Sequence, residues 1–424
     1  MNKVQNFGGF AVLALLLTGC NVENQNGDSD DLSSGDRESI SVGRYLYSGN
    51  ADNLGKYSKD MAAAMDLALE HINDNGGLLT DYDLELVDRS HNCTSDSQQN
   101  EDNLSELIDD ENVIAVLGPE CSGTARSVYG AVTVPAGVVA ISPSATGDIR
   151  SDDDHSKDLI FRTALADDKA GSRLATALVD QSVNTVAVAV DDEDSPYLTA
   201  LQNTADLTIR ATAVYDTNGS DFNAAEFIAS LKTESEEVDA LVISGYALFG
   251  AVEVLTAAVN GDEFFAIYGM EGITNNSALE SDDYEITELA DKFYGVRTAS
   301  GDADARVRFA ELAQGEDFDV DGEYVANAYD AVFAVALAIQ KSGNQRRDGI
   351  AEALKAVVSR DDDSTEILPG EWEKAVTAIG NGEDIFYRGA SGDLEFDDVG
   401  DINTGAEVVT VSDSGKFKRV GFVD

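Results

Sequence analysis

The sequence predicts an α/β fold made of two lobes, each a doubly wound parallel sheet with helices on both faces. Two observations lead to this prediction. Strand and helix segments alternate over most of the 424 residues, and several strands are continuous apolar runs, typical of strands buried on both faces. About nine strands precede residue 300, too many for one compact sheet, and the chain is long enough for two lobes.

The first predicted strand, 40–47, is followed by a helix over 58–73. This helix carries apolar residues on one face (Met61, Met65, Leu69 and Ile72) and stops at Asn75-Gly76-Gly77. Further strands are predicted at 84–87, 113–117, 138–141, 186–190 and 240–243, and further helices at 97–109, 222–231 and 247–259. Phe161-Arg162-Thr163 is predicted to cross between the lobes. In such folds ligands bind beyond the carboxyl ends of the strands.

The charge balance excludes one class of partner. With 28 Lys and Arg against 80 Asp and Glu, the formal net charge is −52, so the phosphate backbone of a nucleic acid would be repelled. The acidity is typical of a solvated surface suited to high ionic strength, where salt screens the self-repulsion. A field that steers cationic ligands is the alternative.

The N terminus is typical of an export signal. A short apolar segment, 10–17, precedes Leu17-Thr18-Gly19-Cys20, and it is too short for a permanent membrane helix. Leu17 to Cys20 resembles the bacterial lipobox, in which the cysteine is lipidated, although an ordinary signal peptide with a chance cysteine is the alternative. Residues 21–38 are rich in Asn, Asp, Ser and Gly and predict a flexible acidic tether.

The cysteine count favours a disulfide. If Cys20 carries a lipid, Cys93 and Cys121 remain in an exported chain, and an even remainder in an oxidising compartment favours pairing. Closing this loop would contribute roughly 3–4 kcal/mol in the chain-entropy model. The three histidines show no metal-ligand spacing with the cysteines, so no zinc site is expected.

The segment from Gly118 to Gly123 places a glycine-flanked turn between a buried strand and a helix. Backbone N–H groups at a helix start are free to meet an anion, and the Ser122 hydroxyl adds one more donor. An ordinary strand-to-helix turn is the alternative. The pattern favours a small acidic group as part of the ligand.

A series of short motifs lies on both sides of this turn in the sequence. They are INDNGG (72–77), LELVD (84–88), GPECS (118–122), ISPSAT (141–146), FRT (161–163), SGY (244–246), YGMEG (268–272), AYDA (328–331) and FDDVGD (396–401). In order and spacing, this series resembles the leucine/isoleucine/valine-binding proteins of bacterial ABC importers, which are type 1 periplasmic binding proteins. The resemblance covers nearly everything from Ile40 onward. It implies two lobes, joined by three crossovers, that close around a free amino acid.

The resemblance implies specific roles in the first lobe. Ser122 would bind the ligand carboxylate through its hydroxyl and backbone N–H. The turn Ser144-Ala145-Thr146 would supply a carbonyl, an N–H and a threonine hydroxyl to the ligand, with a plain proline-containing turn as the alternative. Cys121 would pair with Cys93 and fix the loop before the ligand arrives, which reduces the entropy lost on binding.

In the second lobe, the resemblance implies that Glu271 meets the ligand ammonium, because a desolvated cation needs a paired carboxylate. A solvent-facing glutamate is the alternative, although Glu271 follows an apolar run and lies between two glycines. Tyr197 and Tyr246 would close over the ligand. For both, a structural tyrosine is the alternative.

Two departures from the family pattern affect specificity and surface. Leu54 stands where some relatives place an aromatic residue, which leaves the side-chain pocket open to question. Residues 359–384 look like an insertion and hold the only tryptophan, Trp372, which is either a surface anchor or a packing residue.

Other chemistry is not supported. Asp317 to Gly322 fits the opening of a calcium loop, but its twelfth position is Ala328, which offers no carboxylate. Ser122 has no histidine at a catalytic spacing, and no phosphate-binding lysine loop occurs. We therefore expect a protein that is not an enzyme and holds no cofactor or metal.

The predicted organisation is a signal peptide (1–20), a tether (21–38), a first lobe (39–163 plus 300–384) and a second lobe (164–299 plus 385–424). We expect a monomeric, lipid-anchored solute-binding protein of the cell envelope that serves an ABC importer. Asn21 favours the outer membrane, and the inner membrane stays open. A sensor that signals to a receptor or kinase is the main alternative, and an enzyme that hydrolyses a small amide is a distant third.

Overall fold

The computed structural model describes residues 37–48, 53–93, 97–150, 158–216, 222–235, 237–246, 250–261, 264–274, 286–290, 292–298 and 303–423. Cys20, the signal peptide and most of the tether lie outside these ranges. Within them, no helix combines the length and the apolar character needed to cross a bilayer.

The first lobe begins with a parallel sheet in the order β2-β1-β3-β4-β5. Its strands are β1 (Glu38–Tyr47), β2 (Tyr82–His91), β3 (Ala115–Leu117), β4 (Val139–Ser142) and β5 (Ile160–Arg162). The helices between them are α1 (Asn53–Asp74), α2 (Gln98–Asp109) and α3 (Ser122–Val128), which runs into a π-helical turn at 129–133. Because the strands are parallel, their carboxyl ends meet at one edge of the sheet.

The chain then enters the second lobe. Its elements are α4 (Asp167–Asp180), β6 (Thr185–Val190), α5 (Pro196–Gln202), β7 (Thr208–Val214), α6 (Ala224–Ser235), β8 (Ala240–Ser244), α7 (Ala251–Gly261), β9 (Ile267–Gly269) and β10 (Phe293–Thr298). Strand β6 shows why both faces are covered. Val186, Val188 and Val190 pack into one apolar core, whereas Ala187 and Ala189 pack into the core on the opposite face, as the alternation of a strand requires.

The chain returns to the first lobe after residue 302. Its elements there are α8 (Ala303–Leu312), α9 (Val325–Ser342), α10 (Ile350–Val358), β11 (Thr365–Ile367), α11 (Trp372–Gly380), β12 (Ile385–Gly389) and β13 (Gly392–Asp393). Strand β12 pairs with β11, and Ile385, Tyr387 and Leu394 belong to the first-lobe core. The first-lobe core thus continues past the predicted boundary at 384/385, to Leu394 and Ile402.

The last strands complete the second lobe. They are β14 (Ala406–Val411) and β15 (Phe417–Val423), and the sheet runs β15-β14-β10-β9-β8-β6-β7. Strand β14 pairs antiparallel with both β10 and β15, so this edge departs from the parallel sheet that the sequence predicted.

The segment interpreted as an insertion packs inside the first lobe. Trp372 is fully buried, its Nε1 donates to the Gly77 carbonyl oxygen at 3.0 Å, and its ring meets the edge of Phe333. Of the two interpretations of Trp372, packing is the one that the structure shows.

Candidate ligand-binding site

A cavity of about 290 Å³ lies between the lobes, at the carboxyl ends of the first-lobe strands. The first lobe contributes most of its wall: Leu54, Tyr57, Met61, Cys93, Glu120, Cys121, Ser122, Gly123, Ser144, Glu323 and Tyr324. The second lobe contributes Tyr246 and Gly272. Its place matches the ligand position expected for strands that end at a common edge.

A larger and more open depression, of about 880 Å³, lies on the first lobe alone. Arg44 and Arg89 line it, but both guanidinium groups already pair with carboxylates of the same lobe. All of its lining residues within the described ranges belong to the first lobe, so it is not a site between the lobes. We therefore place the candidate site in the smaller cavity between the lobes.

The turn before α3 forms the floor of this cavity. Gly118 has a positive φ of +99°, and a Cβ atom there would overlap the Tyr45 carbonyl oxygen, so this position requires glycine. Cys121 forms a disulfide with Cys93, with a Cα–Cα distance of 5.5 Å. The Ser122 Oγ accepts a hydrogen bond from the Gly147 amide at 3.0 Å, which leaves its own proton free to donate to a ligand.

A buried network beneath this turn is centred on Glu120. Its Oε1 accepts from the Tyr47 amide at 2.6 Å and from the Ser58 hydroxyl, and its Oε2 lies 2.7 Å from His91 Nε2. The Cys93 amide lies 3.2 Å from His91 Nδ1, so both ring nitrogens of His91 have a partner in this network. The network thus joins the ends of β1, β2 and β3 to the start of α1.

Opposing effects act on the Glu120 carboxyl. Burial alone would raise its pKa, but the charge and hydrogen bonds of His91, Ser58 and the Tyr47 amide outweigh burial, and the pKa lies below its ordinary value. Glu120 is therefore a buried carboxylate whose acceptors are largely occupied by protein donors.

The second turn follows β4. Ser144 lines the cavity, whereas Ala145 lies behind it: its amide donates to Ser142 Oγ at 2.9 Å, and its carbonyl accepts from Arg162 at 3.0 Å. Thr146 is buried, and its hydroxyl bonds to the Tyr246 hydroxyl across the lobes. The three predicted residues are thus at the site, but their groups already have partners in the protein.

The predicted second-lobe residues are placed differently from one another. Tyr246 lines the cavity. Tyr197 is buried, is not part of the cavity wall, and hydrogen-bonds to Asp167. Glu271 opens a short 3₁₀ turn after β9, directly before the cavity-lining Gly272, but its side chain lies outside the described part of the structure.

Asp167 is a buried carboxyl group beside the second turn that the sequence analysis did not single out. It opens α4, is 7% exposed, and its amide donates to the Thr146 carbonyl at 2.9 Å. Burial raises the pKa of its carboxyl, although Tyr197 and Thr146 hydrogen-bond to it. Its Oδ1 has no hydrogen-bond partner among the described residues. An aspartate just after a lobe crossing was the only signal in the sequence.

A second carboxyl group lies at the end of β6. Burial raises the pKa of Asp191 to about 6, and the nearby charges of Asp192 and Asp167 act in the same direction. Asp191 and the buried Asp167 thus lie close enough for their charges to interact.

Four more wall residues were also missed. Met61 was assigned to the core face of its helix, and neighbouring Tyr57 carried no signal. Glu323 and Tyr324 come from the loop before α9, and Tyr324 has a φ of +59°, which is uncommon for a bulky residue. No motif in the sequence indicates such a conformation.

The wall as a whole combines three kinds of groups. It contains the hydroxyl groups of Ser122, Ser144 and Tyr246, the carboxyl groups of Glu120 and Glu323, and the apolar groups of Leu54, Tyr57 and Met61. Among the described residues of the wall, none is Lys, Arg or His. This arrangement suits a small zwitterion with an apolar side chain, because hydroxyl donors bind its negative end and carboxylates bind its positive end.

Comparison with known proteins gives one family and one curated relative. Residues 60–414 match the family described as the receptor family ligand binding region. The chain is 25% identical over 387 residues to BasB of Halobacterium salinarum, a chemotactic signal transduction system substrate-binding protein. The match spans 89% of this chain and 88% of BasB.

Solved structures share the fold. LivJ of Streptococcus pneumoniae, a branched-chain amino acid transporter substrate-binding protein in complex with isoleucine, has a TM-score of 0.67 and 20% identity over 90% of this chain and 99% of its own. An ABC transporter substrate-binding protein of Sphaerobacter thermophilus has a TM-score of 0.70 and 17% identity over 91% and 98%. A solute-binding protein of R. palustris in complex with 4-hydroxybenzoate has a TM-score of 0.69 and 13% identity over 91% and 97%. These likenesses confirm the predicted two-lobed fold of a type 1 periplasmic binding protein.

Proposed function

The chain belongs to the receptor family ligand binding region family, and on that premise we propose that it is an extracytoplasmic solute-binding protein for a free amino acid, branched-chain or similar. The cavity between the lobes supports this proposal most directly, since it faces hydroxyl donors, carboxylates and an apolar wall together. Closure of the lobes captures the ligand, and the closed form delivers it to an ABC importer.

Each end of the zwitterion has its own partners in this proposal. The Ser122 hydroxyl and amide bind the ligand carboxylate, and Thr146 and Tyr246 close beside it. Glu271 binds the ammonium from the second lobe. A buried ammonium left without a carboxylate would cost several kcal/mol, so the acid is the group on which affinity depends most.

The N terminus supports a location at the membrane surface. A lipid on Cys20 and the tether 21–38 would hold the lobes near the bilayer while leaving them free to open and close. The protein then works as a monomer outside the cytoplasm.

A sensor is the second candidate function. The similarity to BasB, a chemotactic substrate-binding protein, favours it, because a clamp that closes on an amino acid can report to a receptor as well as to an importer. Deletion of the gene separates the two: uptake of labelled amino acid falls if the protein serves transport, and the swimming response to that amino acid is lost if it serves sensing.

Calorimetry with the purified chain tests the ligand class. We expect leucine, isoleucine or valine to bind with raised thermal stability, in high and in low salt. Glu271→Gln should weaken binding by roughly 10- to 100-fold, because one charge-assisted hydrogen bond contributes about 1.5–3 kcal/mol. Glu253→Gln, an exposed glutamate on α7, is the matched control. Unchanged affinity in Glu271→Gln would remove the ammonium assignment, and binding of 4-hydroxybenzoate alone would replace the ligand class.

A further inference from the structure

One guanidinium group holds the second ligand-binding turn from behind. Arg162, the last residue of β5, is only 4% exposed. Its Nη1 donates to three consecutive carbonyl oxygens: Ala145 at 3.0 Å, Thr146 at 2.7 Å and Gly147 at 2.7 Å.

The other side of the same guanidinium binds Asp401, which lies in the third crossover, the segment between β13 and β14. Arg162 Nε and Nη2 donate to the two carboxylate oxygens of Asp401, at 2.5 and 3.0 Å, and Arg150 donates to Asp401 Oδ1 at 2.7 Å. The Asp401 amide donates to Asp397 at 2.9 Å, and Asp397 accepts from Lys169 of α4 at 2.7 Å. A continuous path of ion pairs and hydrogen bonds therefore leads from a second-lobe helix to the ligand-binding turn.

The direction of the peptide groups links this path to the site. The Thr146 carbonyl points to Arg162, whereas the Gly147 amide, which belongs to the same peptide group, donates to Ser122 Oγ on the cavity floor. Because a peptide group is planar, with N–H and C=O on opposite sides, fixing the carbonyls of a turn also fixes its amides. A rigid, bidentate arginine–carboxylate pair is suited to set such an orientation.

We propose that Arg162 is a positioning residue whose pairing with Asp401 sets both the angle between the lobes and the orientation of the ligand-binding turn. The lobe angle and the ligand affinity are then coupled through one buried ion pair. The affinity part rests on the proposed function, whereas the lobe angle does not.

The lobe angle is tested without ligand by spin labels on Asp109→Cys in α2 and Glu234→Cys in α6, which are two exposed positions. The distance between the labels is measured. Asp401→Asn and Arg162→Lys should each lengthen the mean distance by about 2 Å or more and broaden its distribution. Glu407→Gln is the matched control, since Glu407 is 3% exposed and pairs with Arg297 inside the second lobe at 2.6 Å. It should lower stability without changing the distance.

Leucine binding to the same variants tests the coupling. Asp401→Asn should weaken leucine binding by roughly 3- to 30-fold, whereas Glu407→Gln should leave it unchanged. If Arg162→Lys does not fold, Asp401→Asn alone decides. An unchanged distance, or unchanged leucine affinity in a chain whose wild type binds leucine, overturns the inference. A wild type that binds no amino acid overturns the proposed function instead, and the distances then decide the inference alone.

Discussion

The two walls of the cavity differ in how firmly they are built. On the first lobe, a disulfide, a buried glutamate–histidine pair and the Ser122–Gly147 hydrogen bond join three segments: the end of β2, the turn before α3 and the turn after β4. On the second lobe, the wall residues within the described ranges are Tyr246 and Gly272, and the Tyr246 hydroxyl bonds to that of Thr146 on the first lobe. We infer that the first lobe is organised before the ligand arrives, whereas the second lobe gains its contacts with the ligand on closure.

Removing the centre of the first wall should have the largest effect. Glu120→Ala leaves His91, Ser58 and the Tyr47 amide without their acceptor in a fully buried place, and breaking a buried pair in this way costs about 3–5 kcal/mol. Urea denaturation should show this loss in the free energy of unfolding. Glu323→Ala, which also lines the cavity, is the control, and equal losses in both variants would contradict a special role for Glu120.

Loss of the disulfide should come next. The double variant Cys93→Ser/Cys121→Ser opens the loop between two cysteines that are 28 positions apart in the sequence. In the chain-entropy model this lowers the free energy of unfolding by roughly 3–4 kcal/mol. Ligand affinity should fall as well, because the turn that carries Ser122 is no longer fixed. Adding a reductant should not lower the stability of the double variant any further. Unchanged affinity would show that the glutamate–histidine pair alone holds the turn.

Single hydroxyl groups on the two walls offer a direct comparison. Ser122→Ala should weaken ligand binding by roughly 10- to 100-fold, since a hydrogen bond to a charged group contributes about 1.5–3 kcal/mol. Tyr246→Phe should weaken it by only about 2- to 10-fold, as expected for a neutral bond of about 0.5–1.5 kcal/mol. Titration calorimetry measures both, and a larger loss in Tyr246→Phe would reverse the roles assigned to the two walls.

Acid should act in opposite directions on two carboxyl groups, Glu120 of the first lobe and Asp191 of the second. The pKa of Glu120 is lowered in the folded chain, so its stabilising contribution is present above the unfolded pKa and is lost as pH falls through the folded pKa. The pKa of Asp191 is raised to about 6 by burial, so its contribution is present below the unfolded pKa and is lost as pH rises through about 6.

Asp191→Asn should therefore raise Tm by a few degrees at pH 7, where the wild-type carboxylate is charged and buried. At pH 4 the same variant should match the wild type, since an amide resembles the protonated acid. Thermal melts from pH 4 to 8 measure the difference. A lower Tm at pH 7 would mean that the charged form of Asp191 is satisfied in the folded chain.

The sequence was most informative where a pattern is local. The apolar runs at 113–117 and 186–190 predicted strands β3 and β6 because both faces of each strand are buried, and the resemblance to a known family placed Ser122, Ser144 and Tyr246, which now line one cavity. A run of six or eight residues contains its own burial pattern, so it can be interpreted without the rest of the chain.

The sequence was least informative where a contact joins distant segments. Strand β12 pairs with β11 of the first lobe. A short apolar strand can pair in either sheet, so its sequence does not say to which lobe it belongs, and the predicted boundary at 384/385 did not separate the two sheets. Glu323 and Tyr324 line the cavity from a loop about 200 residues after Ser122. Tyr324 has a positive φ, which no pattern in the sequence predicts.

The only tryptophan of the chain, Trp372, is enclosed by the first lobe against Phe333, and this gives the protein a built-in optical probe of one half. Its emission follows the melting of that half and is insensitive to the other, which contains tyrosine but no indole. Fluorescence and circular dichroism recorded on one sample would therefore distinguish a chain that unfolds in a single step from one whose halves come apart at separate temperatures.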